Sequence, residues 1–219
     1  MPTPTVENYL KRILMLSMEC KGSEVPMGLI ASSLGVTPGT ATSMVKNLQK
    51  EKWLNYKSRK GVILTNSGKK IGMRMIRRHR LLETFLVDTL GLDWSEIHDE
   101  AEELEHSISE KVLERLDDFL GNPRHDPHGH PIPTKSGAIR RSPHKTLLDC
   151  VMGKKVKIES ILDQSVEFLN FAKKKKLMPG KMIIVHNREK IADTVELQIE
   201  KNPTFSLGFL SADKILVTD

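Results

Sequence analysis

The sequence predicts a mainly α-helical protein with a small β part: a winged helix-turn-helix, a helical middle segment and a C-terminal β-barrel. Three observations carry this expectation. Apolar residues among the first fifty positions recur at helical spacing around a short glycine turn. Two short strand-like segments follow, joined by a turn bearing cations at its tip. Beyond a stretch rich in proline and histidine, residues 121–145, the pattern changes to short strands.

Val6, Leu10, Ile13, Leu14 and Met18 lie on one face of a first helix that ends near Lys21-Gly22. Met27 to Ser33 reads as a second, short helix, and Leu34-Gly35-Val36 as a turn in which glycine takes positive φ without penalty. Thr37 then caps a third helix, with Pro38 at its first position, where a missing N–H costs nothing. Ala41, Met44, Val45 and Leu48 form its inner stripe. Trp53 to Tyr56 and Val62 to Thr65 are the wing strands, and Lys57-Ser58-Arg59-Lys60-Gly61 is the wing tip.

A long helix opens at Asn66 or Ser67 and closes at Gly91. Asp93 and Glu96 predict a capping-box-like start for the next helix, which reaches about Ser107. Ser109 caps a further helix ending at Gly121. These helices offer more apolar surface (Ile71, Leu82, Leu86, Ile97, Leu104, Val112, Phe119) than one small domain buries, which predicts a homodimer. Lys155 to Ser160, Lys181 to Val185, Thr194 to Ile199 and Lys214 to Thr218 read as strands, and Ser165 to Lys176 as one helix. The expected boundaries are 1–66 for the winged helix, 67–121 for the helical domain, 122–145 for a linker and 146–219 for the barrel.

Charge is segregated along the chain. Residues 1–80 carry 15 Lys/Arg against 4 Asp/Glu, whereas residues 81–120 carry 2 against 13. The basic third is the footprint of a phosphate-backbone binder, and the acidic middle would attract cations. No apolar run is long enough for a bilayer span and no signal core opens the chain, so no membrane partner is expected and the cytoplasm is the expected location. Cys20 and Cys150 provide neither a disulfide framework nor a CxxC pair.

The segment HDEAEELEH, residues 98–106, places His98, Glu102, Glu105 and His106 at i, i+4, i+7 and i+8, on one helical face. His79 and Glu83 form another turn-spaced pair on the preceding helix. Imidazole and carboxylate together suit Mn2+ or Fe2+. The other readings of these residues are a solvated charged face, a metallohydrolase or a metal-storage protein. No HExxH motif or nucleophile context accompanies them, so neither an enzyme nor a small-molecule substrate is expected.

RRHRLLETFL (77–86), IHDEAEELEH (97–106) and HGHPIP (128–133) resemble the diphtheria-toxin-repressor family along nearly the whole chain. The resemblance implies a winged helix-turn-helix, a dimerisation and metal domain, an SH3-like domain, and repression of metal-homeostasis genes through a palindromic double-stranded operator once Mn2+ or Fe2+ binds. Zn2+ and other divalent ions could substitute in vitro. Residue by residue, it implies one metal site at His79, Glu83 and His98 and another at Glu102, Glu105 and His106. The first-helix ligand of the second site falls on Asn8, which offers a carbonyl oxygen without charge. Glu102 stands where iron-type members carry Cys, and a carboxylate there favours Mn2+. Asp126 and His128 match a Cys-Pro-His-Gly segment that supplies ligands in streptococcal manganese regulators, with Asp126 in place of Cys, although a mobile loop containing His125, His128 and His130 is the other reading. In the last domain the family's ligand positions fall near Ser165 and Phe168, which makes Asp163 and Glu167 the available substitutes.

For DNA, Thr37, Pro38, Gly39, Thr40, Thr42, Ser43 and Lys46 occupy the exposed start of the third helix. Arg59 and Lys60 are placed to meet phosphates from the wing. Helix capping is the other use of Thr37 and Pro38.

Overall fold

The computed structural model describes residues 2–20, 24–139 and 145–218, so the expected end of the first helix at Lys21-Gly22 lies outside the described residues. The chain divides into two compact units, residues 1–79 with 133–138, and residues 80–132 with 139–219.

The first unit holds helices α1 (Pro4–Glu19), α2 (Met27–Ser33) and α3 (Pro38–Lys50), strands β1 (Leu54–Lys57) and β2 (Gly61–Leu64), and the start of α4 (Asn66–Asp88). Thr3 and Thr37 cap α1 and α3 by accepting from backbone N–H groups, each followed by Pro at the first helical position. The stripe of α1 (Leu10, Ile13, Leu14) packs with Ile30, Val45, Leu48, Leu54 and Val62 into one core. Gly72 of α4 lies where a Cβ would stand 2.8 Å from the Leu10 carbonyl oxygen, so the residue type itself sets this close approach. β1 and β2 pair antiparallel from Leu54↔Leu64 to Lys57↔Gly61, and Val25 adds a reciprocal pair of hydrogen bonds to Val62. This is the expected winged helix-turn-helix.

The second unit continues α4 and adds α5 (Ile97–Glu105), α6 (Glu110–Phe119), β3 (Lys155–Ile161), α7 (Val166–Lys174), β4 (Met182–Glu189), β5 (Thr194–Ile199), β6 (Phe205–Gly208), α8 (Phe209–Ala212) and β7 (Ile215–Thr218). The strands form one antiparallel sheet in the order β6-β5-β4-β3-β7. Register shifts between Ile158 and Ser160 and between Val185 and Asn187 bend its central strands. Its inner face packs on Phe168, Leu169 and Ala172 of α7. β6 and α8 are additions to the sequence expectation, because FSLG is too short to show an alternation.

The start of α5 differs from the expectation. The helix begins at Ile97, and its N-cap Glu96 makes no side-chain cap. Asp93 Oδ1 instead accepts from the Ser95 N–H and Oγ, and Oδ2 accepts from Lys173 Nζ on α7 at 2.5 Å. Trp94 follows into the core of the sheet. Residues 93–95 thus leave the helix ladder to fasten the helices to the barrel, and Ser95 Oγ adds a hydrogen bond to Asn170 Oδ1.

This tether makes stability depend on pH. The Lys173 hydrogen bond, with the Ser95 bonds behind it, lowers the Asp93 carboxyl from 3.8 to about 2. A depressed folded-state pKa stabilises the fold above the unfolded value and loses that contribution as pH falls through the folded one. The stability difference between the wild type and Asp93→Asn, measured by urea unfolding, should therefore be full near neutral pH and shrink between 3.8 and about 2. A difference independent of pH would show that Asp93 acts without its charge.

Candidate metal centre and nucleic-acid interface

Among the described residues, two groups of His, Asp and Glu side chains offer ligand atoms that all lie within 4.8 Å of one another: His79, Glu83 and His98, and Asp126, His128 and His130. Helical spacing explains the first. His79 and Glu83 are one turn apart on α4, and His98 stands in the first turn of α5. Glu83 is fully buried, and its Oε1 lies 3.6 Å from His98 Nδ1 and 3.8 Å from His128 Nδ1. One carboxylate therefore joins the helical group to the 126–130 segment.

That segment is a built turn. Asp126 Oδ1 accepts from the His128 and His130 N–H groups, each at 2.9 Å, and the Asp126 N–H donates to the His130 carbonyl at 3.0 Å. Asp126 Oδ2 lies 3.5 Å from Arg80 Nε, and Arg80 Nη1 donates to the Pro131 carbonyl at 2.6 Å. Gly129 has φ +87°, and a Cβ there would stand 1.9 Å from the Glu159 carbonyl oxygen on β3. The Ile161 N–H donates to the His128 carbonyl. Of the two sequence readings of this segment, mobile loop or ligand-bearing loop, the geometry is that of an ordered one.

The His128 tautomer follows from its neighbours. Nε2 is 2.7 Å from the Trp94 carbonyl, which can only accept, so Nε2 carries a proton and Nδ1 is the ring nitrogen that faces Glu83. Burial pushes the His128 pKa down, but Glu83 and Asp126 outweigh it and hold the pKa above its ordinary value. Burial likewise pushes Asp126 up, yet His130 and Arg80 keep it below the usual carboxylate range. Burial lowers the Arg80 guanidinium, opposed by Asp126 and Glu83. Asp126 Oδ2 and His128 Nδ1 are buried without a hydrogen-bond partner. Two orphaned donors beside a second carboxylate, with no thiol, fit a borderline divalent ion.

The other expected ligands are placed differently. Glu105 is buried, and its Oε1 lies 3.7 Å from Nε2 of His106, the C-cap of α5, while Glu102 Oε1 lies 4.0 Å from His98 Nε2. Glu102, Glu105 and His106 form no 4.8 Å group among the described residues. Asn8 sits on α1 with Oδ1 buried. Asp163 is engaged by Lys214 Nζ at 2.6 Å and by the Ser165 N–H at 2.9 Å, and Glu167 is exposed in the first turn of α7. Sequence reasoning did not single out Arg80 or the Trp94 carbonyl. The only hint of Arg80 was its place within RRHR, and a backbone carbonyl leaves no sequence signal at all.

On the DNA side, Pro38, Gly39, Thr40, Ser43 and Lys46 are exposed along α3. Thr37 Oγ1 accepts from the Thr40 N–H at 3.2 Å and lies 2.9 Å from Thr40 Oγ1, while Thr42 Oγ1 donates to the Pro38 carbonyl at 2.7 Å. These hydroxyls are occupied in holding the helix start. Arg59, at φ +64°, and Lys60 are exposed at the wing tip.

Comparison with known proteins matches residues 1–62 to the iron dependent repressor N-terminal DNA binding domain. Residues 65–134 match the iron dependent repressor metal binding and dimerisation domain, and residues 145–219 the FeoA domain. The structure of a manganese-dependent transcriptional repressor in complex with manganese is 33% identical, with a TM-score of 0.87 over 97% of this chain and 98% of that one. ScaR with bound Cd2+ is 31% identical, with a TM-score of 0.81 over 99% of both chains. The manganese regulator SloR is 28% identical, with a TM-score of 0.79 over 99% of both. No helix among the described residues is long and apolar enough to cross a membrane.

Gly129 gives a direct test of the turn. Gly180 has nearly the same φ, +89°, but open space around its Cβ position. Each Gly→Ala change incurs a backbone penalty on the order of 1–3 kcal/mol, and Gly129→Ala adds a clash with the Glu159 carbonyl. The denaturant midpoint should fall further for Gly129→Ala than for Gly180→Ala. Equal falls would mean that the turn and β3 part freely.

Proposed function

We propose, on the premise that this chain belongs to the diphtheria-toxin-repressor family of iron-dependent repressors, that Mn2+ is the ion that switches on its hold on DNA. The protein is a metal-dependent transcriptional repressor and not an enzyme, built from a DNA-binding domain, a metal-binding and dimerisation domain and an SH3-like FeoA domain. The observation that carries the choice of ion is the donor set around Glu83: carboxylates at 83 and 126, imidazoles at 79, 98 and 128, and no thiol. Oxygen donors remove the advantage that Fe2+ or Zn2+ draws from sulfur. Mn2+ regulators among the similar structures agree with this reading.

In this reading His79, Glu83 and His98 hold one ion, Asp126 and His128 offer a further pair of ligands, and Glu102, Glu105 and His106, with Asn8, hold another. A bound ion supplies positive charge to a segment dominated by carboxylates. The functional parts are 1–66, 67–121 and 146–219, connected by 122–145. Two copies associate through apolar residues left exposed on the helices, Leu104, Val112 and Phe119, and so present two α3 helices to a palindromic operator in the cytoplasm.

Operator-fragment gel shifts test this under titrated Mn2+, Fe2+ (anaerobic) and Zn2+. Binding should appear with Mn2+, at least as well as with Fe2+, and vanish with chelator. Equal affinity with and without chelator would overturn metal activation, and a clear Fe2+ advantage would overturn the choice of ion. The same assay reads the wing. Arg59→Ala and Lys60→Ala should weaken binding to every sequence alike and flatten the log K against log salt slope by roughly 0.9 per lost phosphate contact. An altered sequence preference would instead make the wing a base reader.

A further inference from the structure

We infer that His130 is a ligand of the Glu83, Asp126 and His128 cluster, filling the place that the sequence resemblance offers to Asp163 of the C-terminal domain. The inference rests on the reading above that this cluster holds a metal ion, and it concerns which side chain completes the site.

Asp163 is already committed elsewhere. Both of its carboxylate oxygens are occupied, Oδ2 by Lys214 Nζ at 2.6 Å and Oδ1 by the Ser165 N–H at 2.9 Å. Burial raises its pKa, but Lys214 and Ser165 hold it below the ordinary value. Lys214 in turn lies over the Phe168 ring at 4.9 Å. The Lys214 ammonium beside the Asp163 carboxylate repels a cation, and among the described residues Asp163 belongs to no group of ligand atoms within 4.8 Å of one another.

His130, by contrast, faces two incompatible demands. Its Nδ1 lies 3.2 Å from Gln164 Nε2, an amide donor, and 3.4 Å from Asp126 Oδ2, a carboxylate acceptor. A neutral imidazole nitrogen either carries a proton or presents a lone pair. As acceptor it satisfies Gln164 and sets a lone pair against a carboxylate; as donor it satisfies Asp126 and sets an N–H against an amide N–H. A cation between Nδ1 and Oδ2 takes a lone pair from each and removes the opposition between ring and carboxylate, and the Gln164 amide, left without a lone pair to meet at Nδ1, then turns elsewhere. His128 presents the same arrangement to Glu83, its Nε2 being committed to Trp94 and its Nδ1 facing Oε1 at 3.8 Å.

Asp126, His128 and His130 offer ligand atoms within 4.8 Å of one another, and Glu83 Oε1 lies 3.8 Å from His128 Nδ1. Asp126, His128 and Glu83 are fully buried at the side chain, and His130 is largely so. An ion held at about 2.1 Å has ligand atoms about 3.0–3.5 Å apart. The observed pairs at 3.4 and 3.8 Å need only a small contraction to meet it. Arg80 Nε, 3.5 Å from Asp126 Oδ2, does not compete outright, since a carboxylate oxygen has two lone-pair directions and Arg80 is also tied to Pro131. Two carboxylates and two imidazoles make a site for a borderline divalent transition ion. The C-terminal domain then supplies no ligand of its own.

The simpler alternative is an i, i+4 ion pair between His130 and Asp126 that only stiffens the turn. The two are separated by Mn2+ titration of the full-length chain carrying His106→Ala, which removes the second proposed site, with binding and nitrogen hyperfine couplings read by electron paramagnetic resonance. His130→Asn should weaken Mn2+ binding about tenfold or more and remove one imidazole nitrogen coupling, whereas Asp163→Asn should alter neither. Unchanged binding and couplings in His130→Asn, or loss of affinity in Asp163→Asn, would overturn the inference. Glu83→Gln distinguishes the two levels: if it too leaves binding unchanged, the metal reading of the cluster falls, and with it the question of a fourth ligand. A folding defect in His130→Asn is bypassed by His130→Cys loaded with Co2+, in which a thiolate-to-cobalt charge-transfer band should appear that the wild-type thiols, Cys20 and Cys150, do not give. Its absence in a folded, Co2+-loaded protein would likewise overturn the assignment.

Discussion

Asp126 has no route to water, and an unpaired carboxylate in such a place costs several kcal/mol. Arg80, two backbone N–H groups and His130 surround it, and each of these is fixed by something else. Arg80 is held to the Pro131 carbonyl, which closes the turn onto α4. The His128 N–H that Asp126 accepts belongs to the residue whose ring reaches Trp94 and Glu83, and whose carbonyl takes the Ile161 N–H of β3. The partners of one buried charge therefore link α4, the Trp94 carbonyl and β3. The hydrogen bonds and ion pairs that hold this turn are thus tied into the packing of the second unit itself.

How much of this was legible in the sequence depended on the range of each interaction. The helix-turn-helix is local: Thr37 and Pro38 cap α3 within three residues, and the stripe Ala41, Val45, Leu48 repeats with the helix, so spacing alone located it. The His79 and Glu83 pair was legible for the same reason. The start of α5 was not. Asp93 and Glu96 have the spacing of a cap, but a lysine 80 residues away on α7 claims the Asp93 carboxylate, and tertiary pairing outweighs local propensity. Asp163 likewise has a partner that local sequence does not reveal, Lys214, 51 residues distant. The Asp126 turn lay between these cases. Asp-Pro-His-Gly-His signals a turn, yet nothing in it reveals that the turn is buried, because Arg80 and Glu159, which bury it, are remote in sequence.

The DNA-facing helix shows a related division of labour. Thr37, Thr40 and Thr42 were legible as polar residues at the exposed end of α3, where hydroxyls could meet bases or phosphates. In the structure the hydroxyls of Thr37 and Thr42 are turned to the backbone, and Thr37 pairs with Thr40. Pro38, Gly39, Ser43 and Lys46 are exposed along the same stretch. With those hydroxyls committed to the helix start, Lys46 and the wing cations Arg59 and Lys60 are the exposed charged groups of this surface.

This division bears on how a metal ion can govern DNA binding. The basic residues 1–80, with 15 cations against 4 anions, supply attraction to phosphate whether or not an ion is bound, and the acidic residues 81–120 oppose it. An ion at the Glu83 cluster changes the local charge, but a ligand shifts an equilibrium only by its differential affinity for the two states. Charge alone would strengthen binding to any DNA equally. Selective activation requires that the ion favour one arrangement of two recognition helices over others, so that specific and non-specific binding diverge. By linkage, whatever preference the ion has for the DNA-competent arrangement is returned in full as tighter metal binding when operator is present.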